Sequence, residues 1–392
     1  MNGGIKLKYD FDTVNDRRNT NSLKWSVNDS ELPMWVADMD FKTAPAVTEA
    51  ILDRGKHGIF GYNIVPDEWY FAYMNRWKSR YNFEIKKEWL IFCTGVVPAV
   101  SSIVRKLTTP AENVLLLTPV YNIFFNSIVN NGRNVLECRL KYDGERYEID
   151  FDDLENKLSN PQTTMMIFCN PHNPIGKIWS KETLKKVGGL CKKHNVIVVS
   201  DEIHCDLTKT GKTYTPFASA SEECKMSSIT CISPTKSFNL AGLQTAAVMI
   251  PNEYLRNKVN RGLNTDEAAE PNCFAVQAVT AAYGFGGEWL DELRKYLDEN
   301  RMLVSDFIKA ELPMLKLVKS EATYLLWLDC SSICKNSIEL AEHIRKKTGL
   351  FLSDGAQYGL GGEQFLRLNI ACPKAVLKDG LNRLKKAILM IK

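Results

Sequence analysis

Short apolar runs alternate with helix-like stretches through the middle of the chain, and this alternation limits the fold more than any other feature. Each run is rich in Val, Ile and Leu, as buried parallel strands are. Strands that alternate with helices predict right-handed crossovers, which build a mostly parallel sheet flanked by helices. Ligands of such α/β sheets bind outside the carboxyl ends of the strands. The runs are WLIFC (89–93), NVLLLT (113–118), TMMIFCN (164–170), NVIVVSD (195–201), SSITCIS (227–233) and TAAVMI (245–250).

The length of 392 residues predicts two to three domains. Residues 1–45 have few helix signals, and we expect an N-terminal arm that packs with a smaller domain. Residues 46–286 contain the alternating pattern and form the predicted large ligand-binding domain. From about Glu288 a long amphipathic helix begins, followed by strand-like and helix-like stretches. Residues 287–392 therefore predict a smaller, C-terminal α+β domain.

Composition excludes several classes of partner. The net charge is +4 and no long basic run occurs, so we expect no binding to nucleic acid or to anionic membranes. No run of about 18 apolar residues and no signal-peptide core are present, so we expect a cytoplasmic protein without a membrane span. The 11 cysteines include no C-x-x-C pair and no zinc-site spacing. We expect reduced thiols and no metal site.

Polar and special residues follow each apolar run, where the strands of a parallel sheet present their carboxyl ends. Gly95 lies between a strand and a helix, and the N–H groups at the start of that helix suit a phosphate. Asp201 ends a buried strand, and a buried carboxylate is costly unless a cation or hydrogen bonds compensate it. It is a structural pair or helix cap, or else the partner of a cationic heterocycle.

Lys236 follows the run SSITCIS within the stretch SPTKSFNLAGLQ. A solvated loop lysine and a chemically reactive amine both agree with that position. A free lysine has a pKa of about 10.4, and burial or neighbouring cations lower this value in lysines that form Schiff bases. A phosphate site, a carboxylate for a heterocycle and a nucleophilic lysine on adjacent strand ends together indicate pyridoxal phosphate.

At these residues the chain resembles the class I/II aminotransferase superfamily of pyridoxal-phosphate enzymes (fold type I). Within it, the chain is most similar to the cystathionine β-lyase group of C–S lyases, the MalY/PatB type. The resemblance covers almost the whole chain and implies the family's α/β fold, with a large domain that binds pyridoxal 5'-phosphate. The similar blocks, in the group's order, are YDFDTVNDRRNTNSLKW, LPMWVADMDF, HGIFGY, TGVVPAV, NPHNPIG, SDEIH, SPTKSFNLAGLQ, GGEWLDELRKYLDEN and FLRLNIACP.

The resemblance implies a role for each residue around the cofactor ring. Lys236 is expected to bind the cofactor covalently and to move the Cα proton of the substrate. Asp201 is expected to pair with the pyridine nitrogen, and Tyr121 to stack on the ring. Asn173 is expected to bind the ring 3-oxygen and to contact the substrate. His204 takes the place of a tyrosine that aminotransferases use at the ring oxygen.

The resemblance also implies residues for the phosphate and for the substrate. Val96 and Val97 are expected to donate their backbone N–H groups to the phosphate, and Ser233 its hydroxyl. Tyr62 is expected to reach the phosphate and substrate of the neighbouring subunit in a homodimer. Arg367 is expected to bind the α-carboxylate of the amino-acid substrate as a bidentate fork.

Two positions, His204 and Gln244, differ from the usual aminotransferase pattern, which has tyrosine and arginine there. Both differences agree with the lyase group. We therefore expect β-elimination from cystathionine, and from cysteine or other S-substituted cysteines, to a thiol, pyruvate and ammonia. An amino-acid aminotransferase on the same scaffold, and a regulatory protein that turns over little substrate, remain the alternatives.

Overall fold

The computed structural model of this chain describes residues 8–391. Its helices are α1 Pro45–His57, α2 Asp67–Tyr81, α3 Val96–Leu107, α4 Ile123–Val129, α5 Phe151–Leu158, α6 Lys181–Lys193, α7 Phe217–Ala220, α8 Glu222–Ser227, α9 Glu253–Thr265, α10 Cys273–Phe285, α11 Gly287–Glu311, α12 Ser337–Thr348 and α13 Lys374–Ile388. Its strands are β1 Leu32–Pro33, β2 Leu90–Cys93, β3 Asn113–Thr118, β4 Asn134–Arg139, β5 Lys141–Tyr142, β6 Tyr147–Glu148, β7 Thr163–Cys169, β8 Ile197–Asp201, β9 Ser228–Ile232, β10 Ala246–Met249, β11 Lys316–Leu317, β12 Leu325–Asp329, β13 Leu350–Phe351, β14 Ser353–Asp354 and β15 Phe365–Asn369.

A seven-stranded sheet forms the centre of the molecule, in the order β2-β10-β9-β8-β7-β3-β4. All six apolar runs named above form strands of this sheet, and β4 is the seventh. Strand β10 is antiparallel to both of its neighbours, and the other strands run parallel. The predicted mostly parallel sheet flanked by helices is confirmed.

Strand β7 illustrates why the sheet is buried on both faces. Met165 and Ile167 pack into one apolar cluster with side chains of α3 and α9. Met166 and Phe168 point the other way, into a cluster with side chains of α5 and α6. Because successive strand residues face opposite sides, a continuous apolar run supplies both clusters.

The C-terminal part contains a second, four-stranded antiparallel sheet in the order β11-β12-β15-β14. The 25-residue helix α11 leads into it from the large sheet's helices. The N-terminal arm contacts this part, because β1 pairs with β13 and the Asp40 N–H donates to the Ala371 carbonyl at 2.9 Å. We propose the division 1–45, 46–286 and 287–392 on these contacts. Residues 1–7 and 392 lie outside the described part.

Among residues 8–391 no helix is long and apolar enough to span a membrane. All 11 cysteines are free thiols, and all but Cys334 are buried. They act as small apolar core residues, since burial raises the pKa of thiols such as Cys191 and keeps them protonated.

Candidate active site

One cavity of about 260 Å³ lies at the carboxyl ends of the parallel strands of the large sheet. Strand β10 runs the other way, so its amino end brings Gln244 and Thr245 to the same edge. Seven of the predicted site residues line the cavity together: Val96, Val97, Tyr121, Asn173, Asp201, His204 and Lys236. Other lining residues are Ala37, Thr94, Gly95, Pro98, Cys169, Ile203, Thr235, Ala241, Gln244 and Thr245.

Lys236 reaches the cavity from the loop after β9 and is half-buried. Its Nζ donates a hydrogen bond to the Ala37 carbonyl at 2.6 Å. Burial and the Arg367 guanidinium lower the lysine pKa to about 8, against the opposing carboxylates of Asp38 and Asp201. At that pKa roughly one molecule in ten carries a neutral amine at pH 7. The amine is therefore far better prepared for nucleophilic and base chemistry than a surface lysine.

Asp201 is the last residue of β8, and its side chain points into the cavity at 4 % exposure. Its Oδ1 accepts a hydrogen bond from the Ile203 N–H at 3.0 Å. No lysine or arginine of the described residues forms an ion pair with it, and burial raises the pKa of the carboxyl to about 6. A buried carboxylate in this condition favours a cationic partner inside the cavity.

Tyr121 and His204 present aromatic rings to the same space. Burial raises the pKa of Tyr121 to about 12, so its hydroxyl stays protonated. Burial, assisted by the charges of Lys236 and Arg367, lowers the pKa of His204 to about 3, so the imidazole stays neutral. The His204 Nδ1 is buried without a hydrogen-bond partner in the described structure. It is thus available to a ligand.

The end of the cavity nearest α3 has the chemistry of a phosphate site. Val96 and Val97 are the first two residues of this 12-residue helix, and such N–H groups have no partner within a helix. They add to the positive end of the helix dipole. The hydroxyl residues Thr94, Thr235 and Thr245 line the same cavity. The Thr245 Oγ1 is buried and unpaired among the described residues.

Ser233 is not brought to the cavity wall. Its Oγ donates to the Thr245 carbonyl at 2.6 Å and accepts from the Thr235 N–H at 3.1 Å. The hydroxyl has a single hydrogen, and this hydrogen is used inside the loop. Thr235 lines the cavity instead. In the string SPTK either hydroxyl residue could face the ligand, so the sequence alone does not distinguish them.

Arg367 lies on β15 of the smaller sheet, at 5 % exposure. Its Nη2 donates to the Trp35 carbonyl at 2.7 Å, and its Nη1 donates to the Asn173 Oδ1 at 3.3 Å. Its Nε is buried and unpaired within the described chain. Because Asn173 lines the cavity, the guanidinium is held next to it with donors available for a carboxylate.

Tyr62 lies away from these residues and is fully exposed, at 106 % of its reference area. Its neighbours Ile59, Phe60 and Ile64 are also exposed, between 57 % and 81 %. This segment joins α1 to α2. Within one chain, the structure does not bring Tyr62 to the cavity.

A larger cleft of about 630 Å³ lies between α11, the β5–β6 hairpin and β11. Its lining combines several lysine and arginine residues with apolar side chains. It contains none of the predicted site residues. The smaller cavity is the candidate active site because it contains the reactive lysine, the uncompensated carboxylate and the phosphate-type donors.

The chain is similar to known proteins along most of its length. The family model for aminotransferase class I and II matches residues 28–384. This chain belongs to that family. It is 44 % identical to the cystathionine β-lyase PatB of Bacillus subtilis over 385 residues, which cover 96 % of this chain and 99 % of PatB.

Two solved structures are similar over nearly their whole length. Cystalysin of Treponema denticola, which contains pyridoxal 5'-phosphate, aligns with a TM-score of 0.95 and 33 % identity, over 98 % of this chain and all of that one. A pyridoxal-phosphate-bound putative aminotransferase of Clostridium difficile aligns with a TM-score of 0.94 and 38 % identity, over 97 % of this chain and all of that one.

The residues of this chain fit the pyridoxal phosphate of the family. A phosphate would find the helix N–H groups of Val96 and Val97, and the unpaired Thr245 hydroxyl. A protonated pyridine nitrogen would supply the cation that the buried Asp201 carboxylate favours. The aldehyde would find the Lys236 amine, whose pKa is lowered. Each of the three functional groups of the cofactor would thus have a suitable residue.

Sequence reasoning missed Glu202, which stands beside Asp201 and is fully buried. It accepts hydrogen bonds from the Ser200 hydroxyl at 2.8 Å, the Phe217 N–H at 2.8 Å and the Tyr214 hydroxyl. Burial raises its pKa to about 7. These bonds fix the backbone on which Asp201 stands. The adjacent acidic residues Asp201 and Glu202 at the end of β8 are visible in the sequence, but Glu202 does not line the cavity.

Proposed function

We propose that this protein is a pyridoxal-phosphate-dependent C–S β-lyase that cleaves cystathionine, and also cysteine or other S-substituted cysteines. The observation that carries the proposal is the meeting of Lys236 and Asp201 in one cavity, with Arg367 held next to it through Asn173. These groups supply a base, a partner for the cofactor ring and a grip for an α-carboxylate. The similarity to PatB along nearly the whole of both chains supports the lyase reaction in particular.

The reaction is a β-elimination followed by hydrolysis. A proton leaves the substrate Cα, the Cβ–S bond breaks, and the sulfur leaves with the bond's electron pair and takes up a proton as a thiol. The remaining three-carbon fragment reacts with one water and gives pyruvate and ammonia. Cystathionine gives homocysteine as the thiol, and cysteine gives hydrogen sulfide. No electrons are gained or lost overall.

Pyridoxal phosphate, when bound, supplies an aldehyde for the substrate amine and an aromatic ring that accepts electron density from the Cα. Lys236 removes the Cα proton and holds it as an ammonium on Nζ. Asp201 keeps a proton on the pyridine nitrogen through its buried carboxylate. Tyr121 covers the ring as an aromatic wall. Neutral His204 offers an uncharged imidazole nitrogen where the family's aminotransferases have a phenol.

Arg367 and Asn173 bind the amino-acid end of the substrate. The guanidinium takes the α-carboxylate as a bidentate fork, and Asn173 already orients it through the 3.3 Å hydrogen bond to Nη1. A fixed carboxylate sets the direction of the Cα–H bond relative to Lys236. Orientation of this kind contributes strongly to catalysis, because the substrate loses its freedom of motion on binding rather than on reaching the transition state.

We further propose a homodimer in which Tyr62 reaches the neighbouring active site. The segment 59–64 exposes Ile59, Phe60, Tyr62 and Ile64 together, which is unusual for a solvated connection. A second copy of the chain is the occupant that would bury these side chains. In that assembly Tyr62 contributes to phosphate and substrate binding in the partner subunit, as the resemblance implies.

A cytoplasmic location is part of the same proposal. The 11 free thiols support it, because reduced cysteines persist in the reducing cytoplasm. Ten of the 11 are buried, so oxidation would disturb the core.

Transamination is the competing reaction, and the similarity to the Clostridium difficile putative aminotransferase is the observation in its favour. Both reactions use the same lysine, aspartate and arginine. They differ in whether the substrate loses its sulfur group or passes its amine to a keto acid. The products therefore distinguish them, whereas the cofactor site does not.

The test is a product assay on the purified holoenzyme with cystathionine and with cysteine. We expect equal amounts of free thiol (or sulfide) and pyruvate without any added keto acid. Lys236→Ala should abolish both, and Lys225→Ala, which removes an exposed ion pair with Glu222, is the matched control and should leave them unchanged. A keto acid that forms only in the presence of a second keto acid, without thiol, would make the protein an aminotransferase.

A further inference from the structure

The arm segment 35–41 reaches the candidate active site at Ala37. Side chains of β15, of the loop after β9, of Tyr324 and of Arg17 donate hydrogen bonds to its backbone carbonyls. Such dense fixing is unusual for a segment without regular secondary structure, where backbone groups commonly face water. The donors are Arg367 Nη2 to Trp35, Asn369 Nδ2 to Val36 and Asp38, Lys236 Nζ and Tyr324 OH to Ala37, Arg17 Nη1 and Asn239 Nδ2 to Met39, and Asn239 Nδ2 to Phe41.

Asn239 is the residue that ties this segment to the loop of the reactive lysine. It lies three positions after Lys236. Its Oδ1 accepts from the Met39 N–H at 3.0 Å, and its Nδ2 donates to the carbonyls of Met39 at 2.9 Å and Phe41 at 3.1 Å. Both hydrogens and the oxygen of the carboxamide are thus engaged with the arm. The Asn239 side chain therefore fixes the position of the arm relative to the loop that carries Lys236.

Ion pairs also fix the arm, and one of them, between Lys24 and Asp40, is buried. Lys24, at 1 % exposure, donates to Asp40 at 2.7 Å. Arg17 binds Asp38 through both terminal nitrogens, at 3.0 and 2.7 Å, and also reaches Asp40 at 2.8 Å. Each of these charges has a partner, so Lys24 and Asp40 can stay buried, and the four groups together fix the path of the backbone.

The Ala37 carbonyl stands where this fixed segment meets the lysine. It accepts from Lys236 Nζ at 2.6 Å and from the Tyr324 hydroxyl at 3.0 Å. A half-buried ammonium needs an acceptor, because the lost hydration must be replaced. A charge-assisted hydrogen bond to a carbonyl is such a replacement, and it also orients the nitrogen.

We propose that Asn239 is a positioning residue that holds the Ala37 carbonyl against the Lys236 amine while this amine carries the substrate proton. The role rests on the proposed function, since it assigns a task to Lys236 in proton transfer. The Cα proton moves to Nζ and later returns to a substrate carbon or to solvent. The carbonyl accepts a hydrogen bond throughout and gains or loses no atom.

A purely conformational role for Asn239 is the competing explanation, because its φ is +57°, in the left-handed region that asparagine and glycine tolerate. Asn239→Gly removes the side chain and keeps that backbone conformation accessible. Asn195 offers a matched control. It also has a left-handed φ of +56°, is exposed, and makes no side-chain hydrogen bond in the described chain. Asn195→Gly therefore reports the effect of an extra glycine alone.

Two measurements on the holoenzymes test the proposal. The first is amide hydrogen exchange of the peptide covering residues 35–41. The second is the rate at which the Cα proton of L-alanine exchanges with deuterated water. Alanine has no sulfur to eliminate, so a failure of the proposed lyase reaction does not affect this readout.

For Asn239→Gly we expect exchange in segment 35–41 to be about tenfold faster than in Asn195→Gly. We expect the maximal rate of alanine exchange to fall about tenfold or more, within the range of general acid–base effects. The alanine concentration that gives half of the maximal rate should change less than the rate itself. The cofactor content should equal that of Asn195→Gly. Unchanged amide exchange, or faster amide exchange with an alanine rate equal to the control, would overturn the proposal.

Tyr324→Phe is the second variant if Asn239→Gly does not fold. It removes only the hydroxyl that donates to the Ala37 carbonyl and keeps the buried ring. We expect a fall of about threefold in the maximal alanine exchange rate at unchanged cofactor content. A rate equal to that of the wild type would contradict the role assigned to the carbonyl.

Discussion

Arg367, on the smaller sheet, donates a hydrogen bond to Asn173, on the loop after β7 of the large sheet, at 3.3 Å. This contact joins the two parts of the chain at the cavity. Both residues are buried, at 5 % and 3 % exposure, so the proposed binding site for the substrate carboxylate is already assembled in the absence of a substrate. Preorganised donors of this kind do not have to be ordered during the reaction.

Arg367→Lys should therefore weaken substrate binding more than it slows turnover. Lysine keeps the positive charge but cannot form the bidentate fork or reach Trp35 and Asn173 together. We expect KM for cystathionine to rise by about 30- to 100-fold, which corresponds to about one charged hydrogen bond, with kcat reduced much less. Steady-state kinetics measure both. Arg383→Lys, at an exposed pair with Asp379, is the control, and an equal KM in both variants would contradict the assignment.

Asp201→Asn should slow the reaction and yet stabilise the cofactor-free protein. The asparagine cannot hold a proton on the pyridine nitrogen, and loss of one such electrostatic partner typically costs about 10²- to 10³-fold in kcat. In the cofactor-free protein the carboxylate is buried without an ion-pair partner among the described residues, and burial raises its pKa to about 6. The neutral asparagine of the variant therefore replaces a charged group that destabilises the folded, cofactor-free protein.

The pH dependence of that stability has a definite sign. Because the pKa of Asp201 is raised in the folded state, ionisation of this carboxyl disfavours folding. This loss of stability is absent well below the ordinary pKa of 3.8 and complete above about pH 6. The free energy of unfolding of the cofactor-free variant should exceed that of the wild type by up to ~3 kcal/mol at pH 7.5, and by less than ~1 kcal/mol at pH 4. Urea unfolding at the two pH values measures the difference. A variant less stable than the wild type at pH 7.5 would oppose this account of Asp201.

Gln244→Arg should tighten cofactor binding. Gln244 lines the cavity beside Thr245, where the family's aminotransferases usually have an arginine. An added guanidinium there supplies a charged donor for the phosphate, and we expect the apparent Kd for pyridoxal phosphate to fall about tenfold. Dialysis followed by fluorescence titration measures this constant. Gln162→Arg adds the same charge at an exposed turn and should have no effect on this Kd. Equal affinities of the two variants would mean that residue 244 does not lie next to the cofactor phosphate.

The proposed sharing of Tyr62 predicts complementation between two damaged chains. Lys236→Ala lacks the reactive amine, and Tyr62→Ala lacks the side chain that serves the partner's site. In a mixed dimer, one site has its own Lys236 and the other chain's Tyr62, and is complete. Random mixing should restore about one quarter of the wild-type sites. Co-expression and assay test this, and activity no greater than the sum of the separate variants would mean that Tyr62 acts within its own chain or not at all.

The sequence predicted the strands of the large sheet well because their apolar runs are continuous. The run NVLLLT corresponds residue for residue to β3, and SSITCIS contains the whole of β9. Strand β4, NVLECR, was missed because it lies at the edge of the sheet and mixes exposed and half-buried residues. The antiparallel direction of β10 depends on pairing between distant strands, which local pattern does not encode.

The candidate site was predictable where a side chain does the chemistry, and much less so where the backbone does. Lys236, Asp201 and Asn173 are distinctive in type and position, and the structure places them around one cavity. The Ala37 carbonyl has no sequence signature, since every residue has a carbonyl. Thr235 lines the cavity where Ser233 was expected, because the Ser233 hydroxyl donates a hydrogen bond inside its own loop. Such choices are made by three-dimensional contacts.

The most direct measurement of the central claim is reduction of the purified holoenzyme with borohydride, followed by proteolysis and mass mapping. Reduction fixes pyridoxal phosphate permanently to the lysine that holds it. We expect one label per chain, on the peptide that contains Lys236, and loss of this label when cystathionine is added before reduction. A label on a different lysine, or a chain that retains no label although it is fully active, would contradict the account.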